Sequence, residues 1–204
     1  MVSGIDEALR QLLQDFAKGH IGADVLPRQP EPDPDSGRNF LNLGLWIASL
    51  KLKIPGLDLV RLLTDGTDDR GIDLFAIEAD GAIVKTPEEA LAVAGNEDCE
   101  IRLIFLQAHR RRTLSQQDVA HFVLSVQLIL ENYTQLQPGA NLHFARQFAI
   151  YSALRRRLDE LERPFEPMIE LVYCFSGHWA PQFREGHEHL RRLGESNCSK
   201  ALPG

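Results

Sequence analysis

The sequence predicts an α/β protein. Three short runs rich in apolar residues, Ile72–Glu78, Ile101–Leu106 and Met168–Phe175, read as strands. Two long stretches between the second and third carry apolar residues at three- and four-residue spacing, the period of a helix. Asp80-Gly81, directly after the first run, is a hairpin signal, because both residues tolerate the positive φ of a tight turn.

In chain order, Ile5, Leu9, Leu12, Leu13 and Phe16 predict an amphipathic helix over residues 5–18. Residues 27–37 hold four prolines among acids and predict an exposed loop. Residues 39–52 read as a helix, Pro55-Gly56 as a break, and 57–63 as a short apolar stretch of either type. Residues 64–71 are a turn-rich acidic loop leading into the first strand. The hairpin partner is Ala82–Lys85, and residues 87–98 predict a short helix and a polar loop. Ser115 with Asp118 resembles a capping box, opening a helix marked by Val119, Phe122, Val123, Val126 and Leu130 that ends near Asn132. Phe144, Phe148, Tyr151, Leu154, Leu158 and Leu161 mark the next helix, closed by Arg163-Pro164. Phe183, Leu190 and Leu193 suggest a last one.

With 204 residues, 44% of them hydrophobic, the chain can bury one core. Residues 1–38 are expected to form an N-terminal helix and Pro-rich loop packing on an α/β domain of residues 39–204. The chain stops soon after a strand and helix, which suggests the N-terminal part of a longer protein. Charge is uneven: 9 Lys/Arg against 19 Asp/Glu in residues 1–100, and 13 against 10 in residues 101–204. That balance argues against a charge-driven nucleic-acid coat but leaves room for a local basic track. Cys99, Cys174 and Cys198 form no CxxC pair, and no apolar run approaches the ~20 residues of a membrane span. A reduced, cytoplasmic setting with no membrane partner is the expectation.

Asp73 is an acid among apolar strand residues, which requires a partner or a purpose. Gln107 and His109 close the second strand with the same parity, followed by Arg110, Arg111 and Arg112. A carboxylate and an amide carbonyl at one sheet end suit magnesium, which takes a few oxygen ligands and keeps several waters. Asp65, Asp68 and Asp69 read equally as a solvated acidic turn, and the arginine run as solvated surface. Arg155, Arg156 and Arg157 read as mainly surface, and Trp46 and Trp179 as core or interface anchors. His178, His187 and His189 lack the spacing of a zinc site, and Gly66 and Gly71 are not followed by a P-loop Lys.

Gly71-Ile72-Asp73 before a hairpin, then Gln107-Ala108-His109 ending an apolar strand, resembles the restriction-endonuclease-like superfamily. Its pattern is an Asp followed by (Asp/Glu/Gln)-x-Lys on the neighbouring strand. The Gln-x-Lys form is typical of Mrr-type enzymes, and Asp68-Asp69-Arg70-Gly71-Ile72-Asp73 also resembles the abortive phage-infection AIPR family. The similarity spans roughly residues 40–175. It implies a mixed central sheet flanked by helices and a magnesium- or manganese-dependent endonuclease acting on DNA or RNA in phage defence, with homodimerisation compatible. By position it gives Asp73 and Gln107 the metal-ligand roles, His109 the place of the lysine, and Arg110–Arg112 the nucleic-acid backbone. Glu7, Asp68 and Asp69 are additional acids. Histidine departs from the pattern: lysine is a permanent cation, whereas imidazole has a reference pKa of about 6.5. His109 is then a general base or metal ligand, or the mark of a catalytically degenerate module that binds nucleic acid or protein.

Overall fold

The computed structural model describes residues 71–109, 113–135, 140–175 and 178–179, together with Gln11, Gly44, Leu62 and Thr64. Within them run β1 (Leu74–Ala79), β2 (Ala82–Ile83), α1 (Pro87–Gly95), β3 (Ile101–His109), β4 (Thr113–Leu114), α2 (Gln116–Glu131), α3 (Leu142–Glu160), β5 (Met168–Phe175) and β6 (His178–Trp179). The fold class is therefore α/β, built on a four-stranded sheet of order β2-β1-β3-β5. The expected helices at 5–18, at 39–52 and around Phe183, Leu190 and Leu193, and the loop at 27–37, lie outside the described residues. No described helix is long and apolar enough to cross a membrane.

The sheet is mixed. β1 pairs antiparallel with β2 and with β3, and β3 pairs parallel with β5. The β1–β2 turn is Asp80-Gly81, both at positive φ (49° and 81°), and Ala79 pairs with Ala82 across it. Positive φ at both central residues is what a two-residue hairpin of type I′ demands. Parallel strands cannot be joined by a tight turn, so α2 and α3 supply the crossover from β3 to β5. A second, two-stranded parallel pair, β4–β6, was not anticipated from the sequence: two residues per strand leave no periodicity to read.

Strand alternation divides the core. Phe75, Ile77, Leu103 and Phe105 share a cluster with Phe122, Val126 and Ile129 of α2 and Tyr151, Leu154 and Leu158 of α3. Phe75 and Phe105 are register partners, stacked with ring centroids 4.5 Å apart, and Tyr151 meets Phe75 edge-on. Burial pushes the Tyr151 phenol above the usual tyrosine range, and its hydroxyl donates to the Leu130 carbonyl. On the opposite face Leu74, Ala76, Ile104 and Leu106 pack with Leu62. There a Cβ on Gly44 would lie 3.2 Å from the Cβ atoms of both Ala108 and Cys174, so only glycine fits comfortably.

Each helix begins with a side-chain cap. Thr86 accepts from the Glu89 N–H at α1, and Asn141 from the Phe144 N–H at α3. Ser115 and Asp118 form the expected capping box at α2: Ser115 Oγ accepts from the Asp118 N–H (3.2 Å), and Asp118 Oδ2 from the Ser115 N–H (3.0 Å). Ser115→Ala should therefore lower stability by about 1 kcal/mol, read as a shift in the urea midpoint at constant slope. Arg155 corrects the surface expectation. It ion-pairs with Asp159 and lies over the Tyr133 and Phe165 rings at 4.9 and 4.5 Å. Its planar cation suits an aromatic slot between α3 and the residues after α2.

Candidate functional site

The end of the sheet formed by the start of β1 and the end of β3 gathers the polar groups. Regular pairing stops at Leu74–Leu106. One residue earlier, Asp73 stands at the entry to β1 rather than inside it, and is buried at 9% exposure. Its N–H donates to the Leu106 carbonyl (2.9 Å), and its Oδ2 accepts from the Ala108 N–H (2.6 Å). The carboxylate thus stands in for a backbone carbonyl and extends the ladder by one rung. A buried acid is tolerated because a donor meets it.

Asp73 is held from behind as well. Its carbonyl accepts from the Thr64 N–H (2.9 Å), and the Thr64 hydroxyl donates to the Ile72 carbonyl. Asn141, while capping α3 with its Oδ1, donates through Nδ2 to the Thr64 carbonyl (2.8 Å). A hydrogen-bonded chain therefore runs from the α3 N-terminus through Thr64 to Asp73 and on to β3. Thr64 and Asn141 were missed in the sequence. Asn141 carries an N-cap signal, but nothing local links it to a residue 77 positions away.

Gln107 stands at the same sheet end, one residue before the Ala108 N–H that meets Asp73. Phe105 lies on the α2/α3 face, and two residues outward along β3 lead to Gln107. Gln107 Nε2 lies 3.1 Å from where a Cβ on Gly71 would sit, and Gly71 has φ +69°. Gln107 Oε1 is buried without a hydrogen-bond partner. A buried acceptor lacking a donor is costly, and a cation is one way to satisfy it. Gly71→Ala should cost about 1–2 kcal/mol from the left-handed backbone alone and push the Gln107 amide aside. A melting-temperature decrease with unchanged secondary structure by circular dichroism is the expected result.

His109 is the last residue of β3, at the same parity as Gln107, with Phe175 as its register partner in β5. The apolar run Ile101–Leu106 thus belongs to a strand that continues through Gln107 to His109. Arg110, Arg111, Arg112, Glu7, Asp68 and Asp69 lie outside the described residues, as do His187, His189 and Cys198. Among the described residues no group of three or more His, Cys, Asp or Glu side chains is placed to hold a metal. The oxygen donors at this sheet end are one carboxylate and one amide carbonyl, of the hard type that magnesium or manganese takes.

A cleft of about 640 Å³ opens elsewhere, between the β1–β2 turn and the α3–β5 link. Several of its polar lining groups are engaged with one another or with backbone. Arg102 bridges Glu78 and Glu170, Asp80 accepts from the Glu100 N–H, and Arg163 caps the carbonyls of Ala94 and Asn96. Burial, with Asp80 nearby, pushes the Cys99 thiol up, away from the reactive thiolate. That end of the sheet is built for support.

Comparison with family models, curated proteins and solved structures returns no match for this chain.

Proposed function

We propose that the chain is a metal-dependent nuclease domain of the restriction-endonuclease-like type, acting on cytoplasmic DNA or RNA in phage defence. The observation that carries this reading is the Gln107 carbonyl, buried and unsatisfied at the sheet end where the Asp73 carboxylate meets the neighbouring Ala108 N–H. Asp73 and Gln107 would hold magnesium or manganese. Bound there, the metal would lower the pKa of a water and offset charge on the phosphate. The Ala108 N–H orients the Asp73 carboxylate, and the Thr64–Asn141 chain fixes its backbone. His109 would take the proton from the attacking water, and Arg110–Arg112 would hold the nucleic-acid backbone.

The test is incubation of the chain with supercoiled plasmid, and separately with single-stranded RNA, in magnesium or manganese. Expected is cleavage that EDTA abolishes. Absence of metal-dependent cleavage of either substrate would overturn the catalytic reading. One observation favours a second reading, a degenerate module that binds without cutting: histidine stands where the pattern has lysine. A silent wild type that gains cleavage as His109→Lys would establish it.

A further inference from the structure

The cleft between the β1–β2 turn and the α3–β5 link has the size of a small-molecule site. Its volume of about 640 Å³ falls within the roughly 300–1,000 Å³ of such sites. Val93, Ile101, Leu158, Phe165 and Met168 give it an apolar lining, and Glu97, Glu100 and Glu166 line it as exposed acids. The contacts that brace this end of the sheet leave those three carboxylates out. Arg102 is committed to Glu78 and Glu170, and Arg163 to the Ala94 and Asn96 carbonyls. Among the described residues no cation pairs with Glu97, Glu100 or Glu166. Two helix ends add to the same sign. Helix α1 ends at Gly95 and α3 at Glu160, and Val93, Asn96 and Leu158 bring both ends to the cleft. A helix C-terminus carries roughly half a negative charge.

We propose that this cleft binds a linear aliphatic polyamine. An anion would meet unpaired carboxylates and find both arginines already engaged. A single small cation is disfavoured for a different reason: no three described acids, cysteines or histidines converge to hold one. A polyamine spaces its ammonium groups along methylene chains. Its charges can meet separated carboxylates while its methylenes cover the apolar lining, as the stem of a lysine covers apolar surface. The cleft lies at the opposite end of the sheet from Asp73 and Gln107, so its occupancy needs none of the chemistry proposed there.

Amide NMR titration of the labelled full chain with spermidine tests this, in excess magnesium and near physiological ionic strength. Those conditions screen diffuse attraction to the formal −7 of the chain. Expected are saturable shifts concentrated at Asn96, Glu100, Ile101 and Phe165. Combining Glu97→Gln, Glu100→Gln and Glu166→Gln, all at exposed positions, should weaken the affinity about tenfold. Absence of shifts in the cleft overturns the proposal. Unsaturated shifts spread over the acidic surface overturn it too, since net charge alone then accounts for them. Saturable binding that the triple substitution leaves untouched overturns it equally. The shift map of the wild type keeps the test valid should the triple variant fail to fold.

Discussion

Phe75→Ala should destabilise the protein by about 3–5 kcal/mol, the largest loss expected from any single truncation described above. Phe75, the second residue of β1, is fully buried, stacked on Phe105 and edge-on to Tyr151. Removing the ring takes away its transfer free energy and leaves a cavity that its neighbours cannot close. Phe105 belongs to the central strand, and Tyr151 is tied through its hydroxyl to the Leu130 carbonyl. Against a total of about 5–15 kcal/mol for a typical domain, such a loss removes about a fifth or more of the stability. Urea unfolding followed by circular dichroism gives the value. Leu91→Ala, at a position 46% exposed on α1, is the matching control and should stay within about 0.5 kcal/mol. Equal effects of the two would mean that Phe75 is not at the centre of the core.

Two substitutions at Asp73 should separate its structural role from its proposed chemical one. Asp73→Ala leaves the Ala108 N–H without its acceptor, which costs about 1–3 kcal/mol where the group stays out of water. Asp73→Asn keeps an acceptor oxygen at nearly the same place and removes only the charge. We expect Asp73→Asn to retain most of the stability and to lose metal-dependent cleavage by about 100-fold or more. Loss of an outer-shell partner alone costs roughly 10–100-fold in metal affinity or activity. Asp73→Ala should lose both properties. Thermal melts beside a manganese titration of cleavage measure the two effects on the same samples. An Asp73→Asn protein as active as wild type would remove Asp73 from the metal site and leave it a strand-end cap.

The strands and helices of the described region were legible because hydrophobic period and turn chemistry agree there. Asp80-Gly81 marked the hairpin, Ser115 with Asp118 the start of α2, and the Phe144-to-Leu161 spacing the body of α3. The shared parity of Gln107 and His109 was legible too, since strand alternation carries it and both lie in β3. The burial of Asp73 was not. Its position called for a partner or a purpose, and only the structure shows the donor on the neighbouring strand that keeps it inside. Thr64 and Asn141 were hidden for a different reason: their contact joins residues 77 positions apart, which no local rule links. Arg155 misled because an arginine triplet on a helix resembles surface, and only packing reveals the two rings that receive it.

At the far end of β3, Arg102 grips Glu78 of β1 through two nitrogens and Glu170 of β5 through a third at 2.9 Å. Hydrogen bonding to Glu78 holds its guanidinium pKa above the ordinary arginine value. A strand slipped by one residue presents every side chain to the opposite face. For β1 against β3, such a slip would bury Arg102 beside Ile77 or strand it beside Ala79, and would move Asp73 off the rung where it meets the Ala108 N–H. The Arg102 clamp lies four rungs, roughly 14 Å, from the last regular pair before Asp73. It acts there as a ratchet pawl that permits a single alignment, so the chemistry proposed at one rim of the sheet is indexed by an ion pair at the other.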